Sequence, residues 1–316
     1  MMDHPVATPS TVQSRPLHGL ADVMAVQRFL ADIYARTGTS RAWEVRRWEG
    51  RFWHDDPVTL EAQLAEPMQD IRIWETPDGD IVGVAHPEDG GDVHLQVDPD
   101  HADIESEMLE WAEPNLRMQI GGGATRLTTF VVSGDFHRIQ LLEARGYTRE
   151  AWESVQRWRS LDTPPPELPD AEGYAIRSAR AGDPDDAQRL ADLINAAFGH
   201  SFDASVLLHF ERAPSFVPDL VMIAEAPDGT FAAHAGIVID RRNALAIVEP
   251  VCTHPDHRRR GLASACMAEG LRRAWALGAT RATVSTGSDN PSNLVYGRLG
   301  FTEIERIEAW SRTWPA

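Results

Sequence analysis

The residues best suited to chemistry lie between Ala246 and Ala265, in the run AIVEPVCTHPDHRRRGLASA. Its centre, Arg258-Arg259-Arg260-Gly261-Leu262-Ala263, sets three cations and a glycine where a helical pattern begins. That combination suits an anionic phosphate ligand. The first turn of a helix has unpaired N–H groups and the positive end of the dipole, and a glycine lets the backbone come close.

The elements that must position this loop are local. Ile247, Val248 and Val251 form an apolar, β-branched run that predicts a buried strand. His254-Pro255-Asp256-His257 is a turn, and Ser264 to Leu277 is Ala/Leu/Arg-rich with helical pattern. The order is therefore strand, loop, helix. A strand-like segment, Arg281 to Thr286, follows, and then Asp289-Asn290-Pro291-Ser292-Asn293-Leu294-Val295-Tyr296-Gly297-Arg298-Leu299-Gly300-Phe301. Together the two stretches resemble the GCN5-related N-acetyltransferase (GNAT) family, over about Tyr174 to Thr313 in detail and over the first half in outline.

The resemblance implies an acetyl-CoA co-substrate. Backbone groups at Val251, Cys252 and Thr253 would run along the pantetheine arm. Amides from Arg259 through Arg260, Gly261, Leu262 and Ala263 to Ser264 would hold the diphosphate, with charge added by Arg258 and its neighbours. Acetyl transfer to an amine needs positioning, a base for the ammonium and an acid for the departing thiolate. Glu249, in an otherwise apolar strand where burial raises a carboxyl pKa above about 4.3, is the candidate base; a structural carboxylate is the alternative. Tyr296, whose phenol stays protonated at neutral pH, is the candidate acid; a core tyrosine is the alternative. Asn290 or Asn293 would bond the pantetheine amides. Cys252 reads as a small buried thiol, and His254 and His257 lack further ligands at metal spacing, so no metal is expected. His200, Phe202, Asp203, His209 and Glu211 are candidate acceptor contacts.

Composition narrows the class. The chain has 316 residues, 42% hydrophobic and 25% charged, as in globular proteins. Its net charge is −18, and all 30 basic residues are arginine. Such acidity argues against a nucleic-acid partner and favours, weakly, a cationic amine. No stretch is long and apolar enough for a bilayer, and two cysteines make no disulfide framework, so a cytoplasmic monomer or homodimer is expected.

Landmarks repeat along the chain. Glu75-Thr76-Pro77-Asp78-Gly79 returns as Glu225-Ala226-Pro227-Asp228-Gly229, 150 residues on; Asp98-Pro99-Asp100-His101 returns as His254-Pro255-Asp256-His257, 156 on; and Arg145-Gly146-Tyr147 returns as Leu299-Gly300-Phe301, 154 on. A duplicated domain follows. The expected fold is α/β: two tandem GNAT domains, each a central mixed sheet flanked by helices. The expected boundaries are a disordered lead at 1–16, a first domain at 17–161, a Pro-rich linker at 162–172 and a second domain at 173–316.

The copies differ at the loop. After His101 come Ala102, Asp103, Ile104, Glu105, Ser106 and Glu107, three acids and no glycine, and Leu142 stands where the second copy has Tyr296. The first copy is expected to bind no diphosphate and to pack against the second through Trp43, Trp48 and Trp53. The function expected is acetyl transfer from acetyl-CoA to a primary amine of a small molecule or peptide. The alternatives are a mycothiol-synthase-like tandem enzyme and a non-catalytic acyl-CoA sensor or scaffold; aminoacyl transfer from tRNA is disfavoured by the acidity.

Overall fold

The computed structural model describes residues 12–41, 43–165, 171–199, 201 and 203–316. His200 and Phe202, expected acceptor contacts, lie outside them, as does most of the expected lead. Residues 13–16, expected within that lead, instead belong to the first strand.

The first half runs β1 (Gln13–Leu17), α1 (Gly19–Thr37), α2 (Val45–Trp53), α3 (Pro57–Leu64), β2 (Met68–Glu75), β3 (Ile81–His86), β4 (Asp92–Val97), α4 (Glu105–Leu116), β5 (Met118–Gln119), β6 (Thr125–Val132), α5 (Phe136–Ala144) and β7 (Thr148–Ser160). The second repeats the plan: β8 (Ala175–Ser178), α6 (Pro184–Phe198), α7 (Ser205–Phe210), β9 (Val221–Glu225), β10 (Phe231–Asp240), β11 (Leu245–Thr253), α8 (Leu262–Ala276), β12 (Arg281–Gly287), α9 (Ser292–Arg298) and β13 (Thr302–Trp314). Among the described residues no helix is long and apolar enough to cross a membrane.

All strands join one mixed sheet in the order β1-β2-β3-β4-β6-β13-β7-β12-β11-β10-β9-β8, with β5 beside β6. The last strands of the two halves cross over. β13 enters the first half's sheet, from Ile307 opposite Val132 to Trp314 opposite Thr125. β7 enters the second half's, from Arg281 opposite Ser160 to Gly287 opposite Ser154. The sheet is thus continuous across the expected boundary at 162–172, and each half's sheet is finished by a strand of the other.

The duplication also shows as a repeated ion network. Arg15 on β1 pairs with Asp22 and Glu75, and Arg177 on β8 pairs with Asp186 and Glu225. Asp186 has no exposed side-chain surface; burial raises its pKa, but hydrogen bonds from Arg177 and Arg180 outweigh that and hold it well below the usual range.

One apolar cluster crosses from half to half. Trp43, Trp48, Phe52 and Trp53 pack with Phe210, Ala213, Val238, Leu245 and Ile247. The buried Glu49 carboxylate accepts from Ser215 N–H at 3.1 Å, from the Ser215 hydroxyl and from Gln27. The first half's aromatic helix is therefore cemented to the second half's sheet by apolar burial and a satisfied carboxylate. The opposite face of the sheet carries α4 over the first half and α8 over the second.

Candidate active site

The site begins with a failure of strand pairing. β11 and β12 are parallel neighbours at only three positions, from Leu245 opposite Arg281 to Ile247 opposite Thr283. Beyond them β11 carries a bulge. Its register with β10 skips from Ile237 opposite Val248 to Ala235 opposite Val251, so Gly236 faces both Glu249 and Pro250. The Glu249–Pro250 peptide is cis. A Cβ on Gly236 would lie 2.7 Å from the Glu249 carbonyl oxygen, so only glycine fits there. The strands diverge, and the β12-side edge of Val251, Cys252 and Thr253 is left unpaired. β12 continues instead along β7.

At the wide end of this wedge lies the basic loop. Gly261 caps α8 at φ 76° and Arg259 stands at φ 64°. The bond from Ala265 N–H to Gly261 carbonyl is the first of the helix ladder, which leaves the amides of Leu262, Ala263 and Ser264 without intrahelical partners. Arg258, Arg259 and Arg260 are exposed and make no ion pair among the described residues. The loop is braced by its histidines: His257 Nδ1 meets the Tyr174 hydroxyl at 2.8 Å, and His254 accepts from Asp256 N–H. Each bond occupies the Nδ1 of its ring, and no metal-ligand cluster occurs among the described residues. A strand edge of unpaired amides, an open helix start and three uncommitted guanidinium groups fit an acyl-CoA.

The first half has the same wedge, with β4 and β6 paired only at Asp92–Thr128 and Val93–Thr129, but it is plugged. Glu105, 156 residues before Gly261, is buried and bidentate with Arg138, at 3.0 Å to Nε and 2.7 Å to Nη2. Arg138 Nη1 also donates to the carbonyl of Leu95 at 3.2 Å, the counterpart of Val251. Of the three acids, Glu105 is neutralised by Arg138 and Glu107 accepts from Trp74, so occupancy as well as charge closes this wedge.

Around the second wedge stand the expected catalytic groups. The Glu249 side chain is half-buried and lines a cavity. Tyr296 is buried on α9 within the cluster under α8. Burial pushes its phenol above the usual value, the Ser292 hydroxyl offsets this in part, and the charge of Glu249 adds to the rise. Glu44, preceding α2, is buried and feels the same charge: burial first, then Glu249, raise its carboxyl to about 7. Asn293 is committed inside its own loop, donating to Gly287, Ser288 and Asn290 carbonyls and accepting from Arg157. Asn290 is exposed and its Oδ1 accepts from Ser292 N–H, leaving its amide nitrogen open. Cys252 is buried and its thiol is pushed up to about 12, which removes it as a nucleophile.

The cavity has a volume of about 490 Å³ and is walled mainly by apolar side chains of α6 and α7, among them Leu190, Ile194, Leu207 and Phe210. Its polar groups include Glu249, His234 and, from the first half, Arg46 and His54. His234 Nδ1 meets the Met222 carbonyl at 2.9 Å, so it carries the proton and Nε2 is left as an acceptor. Burial keeps His234 neutral, with a pKa near 4. Of the expected acceptor contacts, Glu211 lines the cavity but accepts from Gly182 N–H; Asp203 accepts from Ser205 N–H, and His209 Nδ1 meets the His54 carbonyl. Arg46, His54, Glu44 and His234 escape the sequence reading. The first three sit in a recognisable Trp/Arg-rich run, but nothing local says which of its faces meets the other half.

Comparison with known proteins agrees with this geometry. Residues 187–301 match the Acetyltransferase (GNAT) family. No curated protein matches the chain significantly. Among solved structures, a GCN5-related N-acetyltransferase from Sphaerobacter thermophilus is 18% identical, with 96% of each chain covered and a TM-score of 0.66. A tandem GNAT protein from the clavulanic acid biosynthesis pathway is 18% identical, covering 96% of this chain and 99% of its own, at a TM-score of 0.62. A GNAT-family acetyltransferase from Colwellia psychrerythraea is 13% identical, with 95% and 99% covered and a TM-score of 0.59. This fold supports acyl transfer generally. The chain therefore has the fold of tandem GNAT structures, and its residues 187–301 match the model of the GNAT acetyltransferase family.

Proposed function

We propose that the chain is an N-acetyltransferase that moves the acetyl group of acetyl-CoA to a primary amine of a small molecule or peptide by direct attack in a ternary complex. The observation carrying this reading is the bulge at Glu249–Pro250. It puts Glu249 and Pro250 in the cavity wall and leaves the next three residues, Val251 to Thr253, as an unpaired edge leading to the loop that opens α8.

Acetyl-CoA, when bound, supplies the activated thioester. In this reading Val251, Cys252 and Thr253 offer backbone partners to the pantetheine arm, and the Asn290 amide is the better placed of the two asparagines. The amides from Arg259 to Ser264, with Arg258, Arg259 and Arg260 around them, take the diphosphate. Glu249 accepts the ammonium proton, directly or through water, and Tyr296 gives a proton to sulfur. The new N–C bond replaces the C–S bond, and the nitrogen loses two protons in all, one taken by Glu249 and passed to solvent and a second that restores Tyr296 after it has protonated the thiolate.

Calorimetry with acetyl-CoA, followed by thiol release across amines, aminoglycosides, peptides and a cysteinyl sugar, tests the reading. One site per chain with release is expected. Binding without release to any acceptor would favour a sensor or scaffold, and release confined to the cysteinyl sugar would favour the mycothiol-synthase-like alternative.

A further inference from the structure

Of the four acidic and arginine side chains that line the cavity among the described residues, two are engaged elsewhere. Arg180 is paired with Asp183 and Asp186, and Glu211 accepts from Gly182 N–H. Two groups are not. Among the described residues the side chains of Arg46 and Glu249 make no hydrogen bond or ion pair. Arg46 is held by shape instead of by an acid. Its guanidinium lies 4.1 Å from the centroid of the Phe210 ring. A Cβ on Gly50 would come within 2.9 Å of its Nη1, so the missing side chain at Gly50 makes room for the guanidinium. Its Nε is buried without a partner. The neighbouring acids make no bond to it: Glu49, bonded to Ser215 and Gln27, and Glu44 meet it only through space, and Glu88 is taken by Arg47.

A guanidinium in an apolar wall is costly unless an anion meets it, and its planar fork matches a carboxylate with two parallel bonds. Among the described residues the cavity therefore presents one uncommitted cation and one uncommitted carboxylate on otherwise largely apolar walls. Resting on the acyl-transfer reading above for the role of Glu249, we propose that the cavity takes an apolar primary amine that also bears an anionic group, the anion held by Arg46 of the first half and the ammonium by Glu249. The first half is then a specificity element of the second half's site.

The test uses matched pairs, phenylalanine against phenylalanine amide and leucine against leucine amide, on the full chain. Binding is read by calorimetry without acetyl-CoA, and turnover by thiol release with it. The acids should exceed the amides on the order of 10- to 100-fold in both readouts, the range of a hydrogen bond to a charged group. Arg46→Gln should bring the acids down to the level of the amides and leave acetyl-CoA affinity unchanged. Arg46→Lys should recover part of the difference. Equal treatment of acid and amide by the wild-type protein, binding of neither, or an equal loss for both in Arg46→Gln would overturn the proposal. Arg46-dependent binding of the acids with no thiol release would uphold it while removing the acyl-transfer reading.

Discussion

Removing Arg138 should unfold more than it frees. Its side chain and that of Glu105 are 7% and 4% exposed, so solvent screens the pair little. Arg138→Met leaves a buried carboxylate without its cation, at a cost of about 3–5 kcal/mol, and takes a donor from the Leu95 carbonyl, at about 1 kcal/mol more. For a chain of this size each kcal/mol lowers the melting temperature by about 2 °C, so a fall of roughly 8–12 °C is expected. The double replacement Arg138→Met with Glu105→Leu removes both charges and should recover most of that loss. Scanning fluorimetry of the three proteins reads the melting temperatures, and calorimetry with acetyl-CoA should find one site in each that folds. A single variant that melts within 2 °C of wild type would refute the argument that this pair is the buried plug of the first wedge. So would a double variant no more stable than the single one, or a second acetyl-CoA on the wild-type chain.

Other perturbations address the second wedge. Gly261→Val meets no atom within 4 Å of its Cβ, so the chain should fold with only the left-handed strain of about 1–2 kcal/mol, yet lose acetyl-CoA binding; unchanged affinity in calorimetry would remove the diphosphate assignment. Tyr296→Phe should lower kcat on the order of 10²-fold with little change in acetyl-CoA affinity, and a wild-type kcat would exclude it as the acid. Glu249→Gln should slow the reaction at neutral pH and recover in part at high pH, where the amine is already deprotonated; wild-type rates throughout would place the base elsewhere. His234 has its pKa depressed by burial to about 4 from an unperturbed 6.5, so its contribution to stability is present above about pH 6.5 and lost as pH falls toward 4. That contribution is at most roughly 3 kcal/mol, and urea titrations between pH 7.5 and 4.5 should show His234→Gln losing less stability on acidification than wild type; parallel curves would contradict it.

The features legible in the sequence are those written in a few neighbouring residues. The loop from His254 to Ser264 carries its own turn, cations and glycine, and the helix pattern after it is regular. The features that escape are made by distance. Strands β7 and β13 are largely polar with no clean alternation, and no residue in Thr148–Ser160 or Thr302–Trp314 says which half will receive it. Glu105 looks repulsive until Arg138, 33 residues on, is seen to neutralise it. Arg46 and Glu44 belong to a run legible as an aromatic interface, but their approach to Glu249 depends on two halves docking. Ser14 and Arg15, in a segment that reads as polar lead, become ordered because Arg15 finds Asp22 and Glu75.

The crossing of β13 into the first half's sheet also sets an order of events during synthesis. The first half emerges with β6 lacking one of its neighbours, since that neighbour, β13, is made only after the other strands of the second half. Meanwhile β7, the next strand off the ribosome, can lie against the edge that β13 must later occupy. A nascent chain therefore carries an exposed edge, and a tempting wrong partner for it, while the second half is being made. Once Thr302–Trp314 has been made, it must take the place between β6 and β7 that completes the first half's sheet.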